Sequence, residues 1–162
     1  MTSRLSFLTA AMLPVVAALG FLHPGAALAQ STKLKERLEK ATRVDCTFTA
    51  LATGNWDGAK PKATVSAAKL ETAFVDIDVD GGTAESAGDL GKTFIVVRYR
   101  EGYLHFMEMS DSGPLRVTTV LAQESANGRL KAVQTRHEYT AVSLPGYTSR
   151  PEMYVGDCAV TD

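Results

Sequence analysis

Residues 92–109 read KTFIVVRYREGYLHFMEM, two runs of β-branched and aromatic residues on either side of Glu101-Gly102. A strand sends alternate side chains to opposite faces. If Glu101-Gly102 is a two-residue turn, Tyr99 stands opposite Leu104 and Val97 opposite Phe106. Ile95, Val97, Tyr99, Leu104 and Phe106 then share one face. Phe94, Val96, Met107 and Met109 share the other, with Arg98 opposite His105. Both faces are apolar toward one end, so both need cover. One lines a core; the other lies under a helix or against a partner.

The same period of two extends outward from this hairpin. Val44, Cys46, Phe48 and Ala50 alternate with Asp45, Thr47 and Thr49. Thr53 to Gly58 is rich in turn formers and reads as a connection. Ala63–Leu70 is a weaker strand. Phe74–Asp80 is a clear one, with Val75, Ile77 and Val79 opposite the aspartates, and Gly81-Gly82 follows as a turn. Leu115–Ser125 and Arg129–Val142 flank Asn127-Gly128, a pair that tolerates the left-handed backbone of a tight hairpin turn. Pro145-Gly146 breaks the chain, and Met153–Val160 is a last strand. About eight strands in succession without βαβ alternation predict an all-β domain, an antiparallel barrel or sandwich.

One short helix precedes the strands. Ser31 or Thr32 can cap it, and Leu34, Leu38 and Ala41 form one stripe up to residue 41. About three turns do not hold alone in water, so the stripe must pack on the β domain.

Ahead of the helix, residues 1–29 read as a cleavable signal peptide. Arg4 supplies the positive start, Leu5 to Leu22 carries no charge, and Ala27-Leu28-Ala29 offers small residues to a signal peptidase. The competing reading is a membrane anchor, against which Pro14 and the A-x-A ending speak. Residues 30–162 then form one domain, exported to the periplasm or the extracellular space, with no membrane span after processing. The 162-residue chain has a formal net charge of −1 and no basic stripe, which argues against nucleic acid as a partner.

The only two cysteines are Cys46 and Cys158. In an oxidising compartment an even count points to a disulfide. Two buried thiols or a metal pair are the alternatives, and the absence of C-x-x-C spacing disfavours metal.

No motif specifies an activity. Asp76-x-Asp78-x-Asp80-Gly81 imitates the start of a calcium loop but has Ala87 where the closing glutamate belongs, so it reads as a solvated strand face entering a turn. Metal catalysis at His105 and His137 would need a third ligand from another strand, for which Glu108 and Glu138 are the candidates, and no G-x-S-x-G nucleophile elbow exists. Neither catalytic residue, metal site nor cofactor is assigned. Thr135-Arg136-His137-Glu138-Tyr139 is the densest polar cluster; it is a barrel rim or, through Arg136, an anion contact. With a two-residue turn at Asn127-Gly128, Arg136 stands opposite Thr119 and Gln134 opposite Leu121. Those pairs, with Ala63 and Ala67, would be inward positions too small or too polar for a filled core.

Gly54-Asn55-Trp56 near the start of the exported chain, the strand count and Arg136 on a late strand together resemble the lipocalin-like (calycin) barrels. That resemblance implies a small-molecule-binding barrel; together with the small and polar inward positions it makes Trp56 and Arg136 the expected ligand-binding residues, Trp56 near one end and Arg136 near the other. A strand already precedes Trp56 and no helix follows the barrel, both departures from that family. Cys46-Thr47-Phe48, Ala132 to His137, and Tyr154-Val155-Gly156-Asp157-Cys158 are similar to small secreted bacterial proteins of unassigned function, which implies a disulfide-closed domain. The leading reading is non-enzymatic binding of a small, largely apolar or anionic ligand. The alternatives are an envelope or extracellular interaction module (an assembly factor or inhibitor, with a partner protein or a second copy on an apolar sheet face) and, last, a His-dependent hydrolase or metal enzyme.

Overall fold

The computed structural model describes residues 24–57, 59–87, 94–109, 115–137 and 151–162. Helix α1 (Pro24–Glu39) precedes eight strands: β1 (Arg43–Asp57), β2 (Lys60–Asp78), β3 (Thr83–Ser86), β4 (Phe94–Arg100), β5 (Tyr103–Met109), β6 (Leu115–Glu124), β7 (Leu130–His137) and β8 (Glu152–Thr161). Each strand pairs antiparallel with its neighbour in sequence, and β8 returns to β1, so the sheet is a closed barrel. Of the two architectures expected, the barrel is the one formed.

The central hairpin has the expected register, with Val97 opposite Phe106 and Tyr99 opposite Leu104. Glu101 and Gly102 both take the left-handed backbone the two-residue turn requires, with φ of 51° and 90°. Ile95, Val97, Leu104 and Phe106 are buried inside the barrel, joined by Val44, Phe48, Phe74, Val120, Leu130 and Ala132 from other strands. Phe74 stacks on Phe106 with ring centroids 4.0 Å apart.

The strand count is eight, but its composition differs from the expectation. Ala63–Leu70 and most of Phe74–Asp80 are parts of one strand, β2, which runs from Lys60 to Asp78, with Val79 and Asp80 in the turn that follows. The stretch between them, Glu71-Thr72-Ala73, contains no turn former, and Leu70, Thr72 and Phe74 keep alternating through it. The eighth strand is β3, four residues long and joined to β4 at one pair, Thr83 with Val96. Thr53–Asp57 belongs to β1 rather than to a connection, so Gly54-Asn55-Trp56 lies in a hairpin arm. In the turn after β2, the Asp78 carboxylate accepts the Gly81 amide at 2.7 Å, so this aspartate caps its own turn.

Helix α1 begins at Pro24, earlier than expected, and ends at Glu39. Its leucine stripe does not cover the outer face of the central hairpin. Leu34, Leu38 and Ala41 join the interior cluster with Val44 and Val160, so the helix plugs the end of the barrel where β1 begins and β8 ends. Arg37 fastens it, donating to Gly128 O at 3.0 Å and to Val160 O at 2.6 Å. A plug serves the helix better than a wall position: the barrel end exposes apolar side chains on every strand, and a stripe set into it is surrounded on all sides. Cys46 and Cys158 stand directly opposite on β1 and β8 and form the expected disulfide, between the first strand and the last. Residues 1–23, which hold most of the expected signal peptide, and the 138–150 segment with Glu138, Tyr139, Pro145 and Gly146 lie outside the described residues.

Candidate functional site

Above the Phe48–Phe106 layer the barrel interior changes character. Next along the inner face come Tyr154, Gln134 and Thr118, neighbours across β8, β7 and β6. Thr118 and Gln134 are buried, and the Gln134 amide donates to Thr118 Oγ1 at 2.9 Å. One step further is a row of four ionisable residues on four consecutive strands. Glu108 on β5 faces Arg116 on β6, Arg116 faces Arg136 on β7, and Arg136 faces Glu152 on β8. Strand alternation dictates this: Glu108 is two residues beyond Phe106, and Arg136 two beyond Gln134, so all share the inward face.

Two arginines set directly opposite each other repel unless they are compensated. The row compensates them from its two ends. Glu152 approaches Arg136 at 3.8 Å and also accepts the Tyr154 hydroxyl at 3.0 Å. Glu108 lies beside Arg116 and is only 3% exposed. Its Oε2 makes no hydrogen bond. Burial pushes its carboxyl above the usual carboxylate range, and the Arg116 charge opposes that shift in part. Burial likewise raises the Tyr154 hydroxyl, reinforced by Glu152 and opposed by both arginines.

These side chains border a cavity of about 170 Å³, lined by Glu108, Arg116, Gln134, Arg136 and Tyr154 on one side and by Leu70–Ala73 and Ser86 on the other. It lies at the end of the barrel opposite the helix.

Arg136, expected from the sequence, is thus in the wall of an interior cavity. Trp56 lies on β1, three residues past Thr53, and Thr53 pairs with Glu152. Its backbone is therefore at the same end of the barrel as Arg136, not at the opposite one; its side chain is outside the described residues. The partners expected for the Asn127-Gly128 hairpin are also corrected. Asn127 and Gly128 lie in the turn, with φ of 57° and 72°, but the loop has three residues, Ala126 to Gly128, closed by the Ser125 amide donating to Arg129 O, and a further two-residue register shift lies between Val120 and Glu124, so the partners move by three in all. Arg136 faces Arg116 rather than Thr119, and Gln134 faces Thr118 rather than Leu121. An odd slip exchanges the two faces of a strand, so Thr119 and Leu121 belong to the outer wall. Ala67 pairs with Ala50 on the outer wall and Ala63 with Gly54 in the exposed hairpin arm, so neither opens interior space.

Arg116 and Glu152 were not singled out by the sequence; Glu108 was named only as a candidate third metal ligand, although the alternation Leu104, Phe106, Glu108 carried the signal for its inward position. The histidines do not converge. His105 is on the outer wall, where Thr119 Oγ1 lies 2.9 Å from Nδ1 and the Tyr103 ring stacks on the imidazole. Burial holds its pKa below the ordinary value. His137 is exposed at the far end of β7, opposite Leu115. Among the described residues no group of three or more His, Cys, Asp or Glu is arranged to hold a metal ion, and no helix is long and apolar enough to cross a membrane. No family model, curated protein or solved structure matches this chain.

Proposed function

We propose that this chain is an exported, non-enzymatic binding protein that holds a small ligand through an anionic group in the upper end of its barrel. The observation that carries the reading is the opposed pair Arg116–Arg136 facing one interior cavity. Arginine forks bind carboxylates and phosphates in a bidentate manner, and a water-poor site strengthens that contact. A volume near 170 Å³ suits a compact molecule: drug-sized ligands occupy roughly 300–1,000 Å³, whereas about 150 Å³ accepts a benzene. The filled aromatic layer below leaves no room for a long apolar tail, so the ligand is small and polar at the arginine end. Export rests on the apolar leader ending in Ala27-Leu28-Ala29 and agrees with the disulfide, since such bonds persist in oxidising compartments. Calorimetric titration of the oxidised protein with short carboxylates and with phosphate tests the binding. Heat with one of them, weakened at least tenfold by Arg116→Gln, supports the reading; no heat with any of them rejects it.

A second reading draws on the outer wall. Val96, Met107, Val117, Thr135, Met153, Ala52 and Val65 are successive cross-strand neighbours. Met153 is 42% exposed and Val65 78%. Such a row suits a protein-interaction module. Sedimentation of the exported protein, alone and with envelope extract, distinguishes it from a monomeric ligand binder.

A further inference from the structure

The charged row is balanced before any ligand arrives: two arginines in its centre and one carboxylate at each end. Glu152 is engaged twice, by Arg136 and by the Tyr154 hydroxyl. Glu108 is the different member. It is almost wholly buried, borders the cavity, and has an oxygen that makes no hydrogen bond. A buried carboxylate oxygen without a donor is expensive, on the order of 1–3 kcal/mol or more for a charged group, and such an atom in a cavity wall calls for a donor from outside the chain.

We infer that the ligand is a small zwitterion, an amino-carboxylate whose anionic end inserts between Arg116 and Arg136 and whose ammonium donates to Glu108. This rests on the binding reading above and narrows its ligand class. The electrical bookkeeping favours it. Adding a simple carboxylate to a balanced, partly desolvated site leaves one uncompensated negative charge beside the buried Glu108, which an environment less polar than water penalises. Adding a zwitterion leaves the site neutral. Geometry agrees as well. Glu108 and Arg136 are separated by one strand, so their backbones are on the order of 10 Å apart at the usual inter-strand spacing, and the long side chains of both reach inward to close most of that distance. A ligand of a few carbons with charges at its two ends spans the remainder, and the cavity volume accepts it.

A simple carboxylate has one route to neutrality, which is proton uptake by Glu108. Burial raises this carboxyl, so that route opens as pH falls. The charged groups facing Glu108 in the row are Arg116, Arg136 and Glu152. The two ligand classes therefore differ in pH behaviour. Zwitterion binding weakens as pH falls through the raised Glu108 value, because the ammonium loses its anionic partner, while carboxylate binding strengthens over the same range.

The test uses the oxidised, exported protein and a matched panel at pH 7: glycine, β-alanine and γ-aminobutyrate against acetate, propionate and butyrate, with propylamine as the cation alone. Calorimetric affinity should favour at least one amino acid over its deaminated partner by roughly tenfold to a hundredfold, the worth of a charge-assisted hydrogen bond. Glu108→Gln, which keeps the shape and removes the charge, should collapse that ratio toward one while propionate binding survives. Equal affinity for propionate and β-alanine overturns the inference and leaves anion binding standing. Silence from the whole panel overturns both. If Glu108→Gln does not fold, the wild-type amino acid to carboxylate ratio and its pH dependence still decide.

Discussion

Gly156 on β8 stands opposite Phe48 on β1, next to the irregularity that shifts the register of β1 between Phe48 and Ala50. A Cβ on Gly156 would lie 2.1 Å from Thr47 O and 2.6 Å from Phe48 Cα. Those are backbone atoms in a closed sheet, so they cannot swing aside. Gly156→Ala should cost about 1–3 kcal/mol or more, as overpacking does, and urea unfolding measures it. A variant as stable as the parent would mean that the two strands are not in this close approach. The glycine in Tyr154-Val155-Gly156-Asp157-Cys158 thus has a packing reason: two backbones touch there.

The Cys46–Cys158 bond joins residues 112 apart in sequence. A closure of that length removes roughly 4–5 kcal/mol of freedom from the unfolded chain in the entropy model. The barrel seam between β1 and β8 is also held by its own ladder, so the reduced protein should still fold. Cys46→Ala should lose about 2–5 kcal/mol in chemical denaturation. Two thiols that react freely with a maleimide in the oxidised, folded protein would contradict the pairing.

Asp157 and Arg129 form a clasp on the outside of the same seam. Arg129 Nε reaches the Asp157 carboxylate at 2.5 Å, and its Nη2 donates to Asp157 O at 3.0 Å and toward Asp45 O at 3.3 Å. Ser125 donates to the other Asp157 oxygen at 2.9 Å. The Arg129 contact holds this carboxyl below its usual range. An acid whose pKa is depressed by folding contributes stability above its unfolded value, about 3.9, and loses it as pH falls through the folded value. Wild-type stability should therefore decline below about pH 4, and Asp157→Asn should flatten that limb. Unfolding curves at pH 3 and pH 6 for both proteins check it.

Glu108 works in the opposite direction. Folding raises its pKa, so its contribution is complete below about pH 4.3, the ordinary value, and is lost as pH rises through the raised value. Glu108→Gln does not carry this loss. The stability difference between Glu108→Gln and wild type should therefore grow in favour of the variant from pH 4 to pH 8. Identical pH profiles would show that the carboxyl is solvated in the folded protein.

Cleavage after Ala29, the processing proposed for an exported chain, would leave Gln30 as the new N-terminus. Helix α1 is continuous across this point, yet its plugging residues Leu34 and Leu38 lie beyond it, so the barrel keeps its floor after processing. Gln30 itself donates to Glu124 at 2.8 Å. Intact mass of the exported protein should correspond to residues 30–162, or to that chain less ammonia if Gln30 cyclises. A full-length species held in the membrane would contradict it.

The sequence by itself determined the local decisions. The alternation in residues 92–109 and the Glu101-Gly102 pair were enough to set the central hairpin in register, because a two-residue turn leaves the strands no freedom to slip. Leu34 and Leu38 announced that they would be buried, and two cysteines in a chain read as carrying an export leader announced a bond. The tertiary structure decided where those faces go. Whether the leucine stripe covers a wall or plugs an end depends on how the sheet closes, which no local pattern contains. Whether Ala63–Leu70 and Phe74–Asp80 are two strands or one depends on β1 being long enough to pair with both. The interior charge row depends on a turn one residue longer than expected together with a two-residue shift between Val120 and Glu124, and the odd total turns every side chain to the other face. Arg136 was legible as a charged residue on a late strand. That it meets Arg116, Glu108 and Glu152 inside the barrel follows from four strands brought side by side by closure of the sheet.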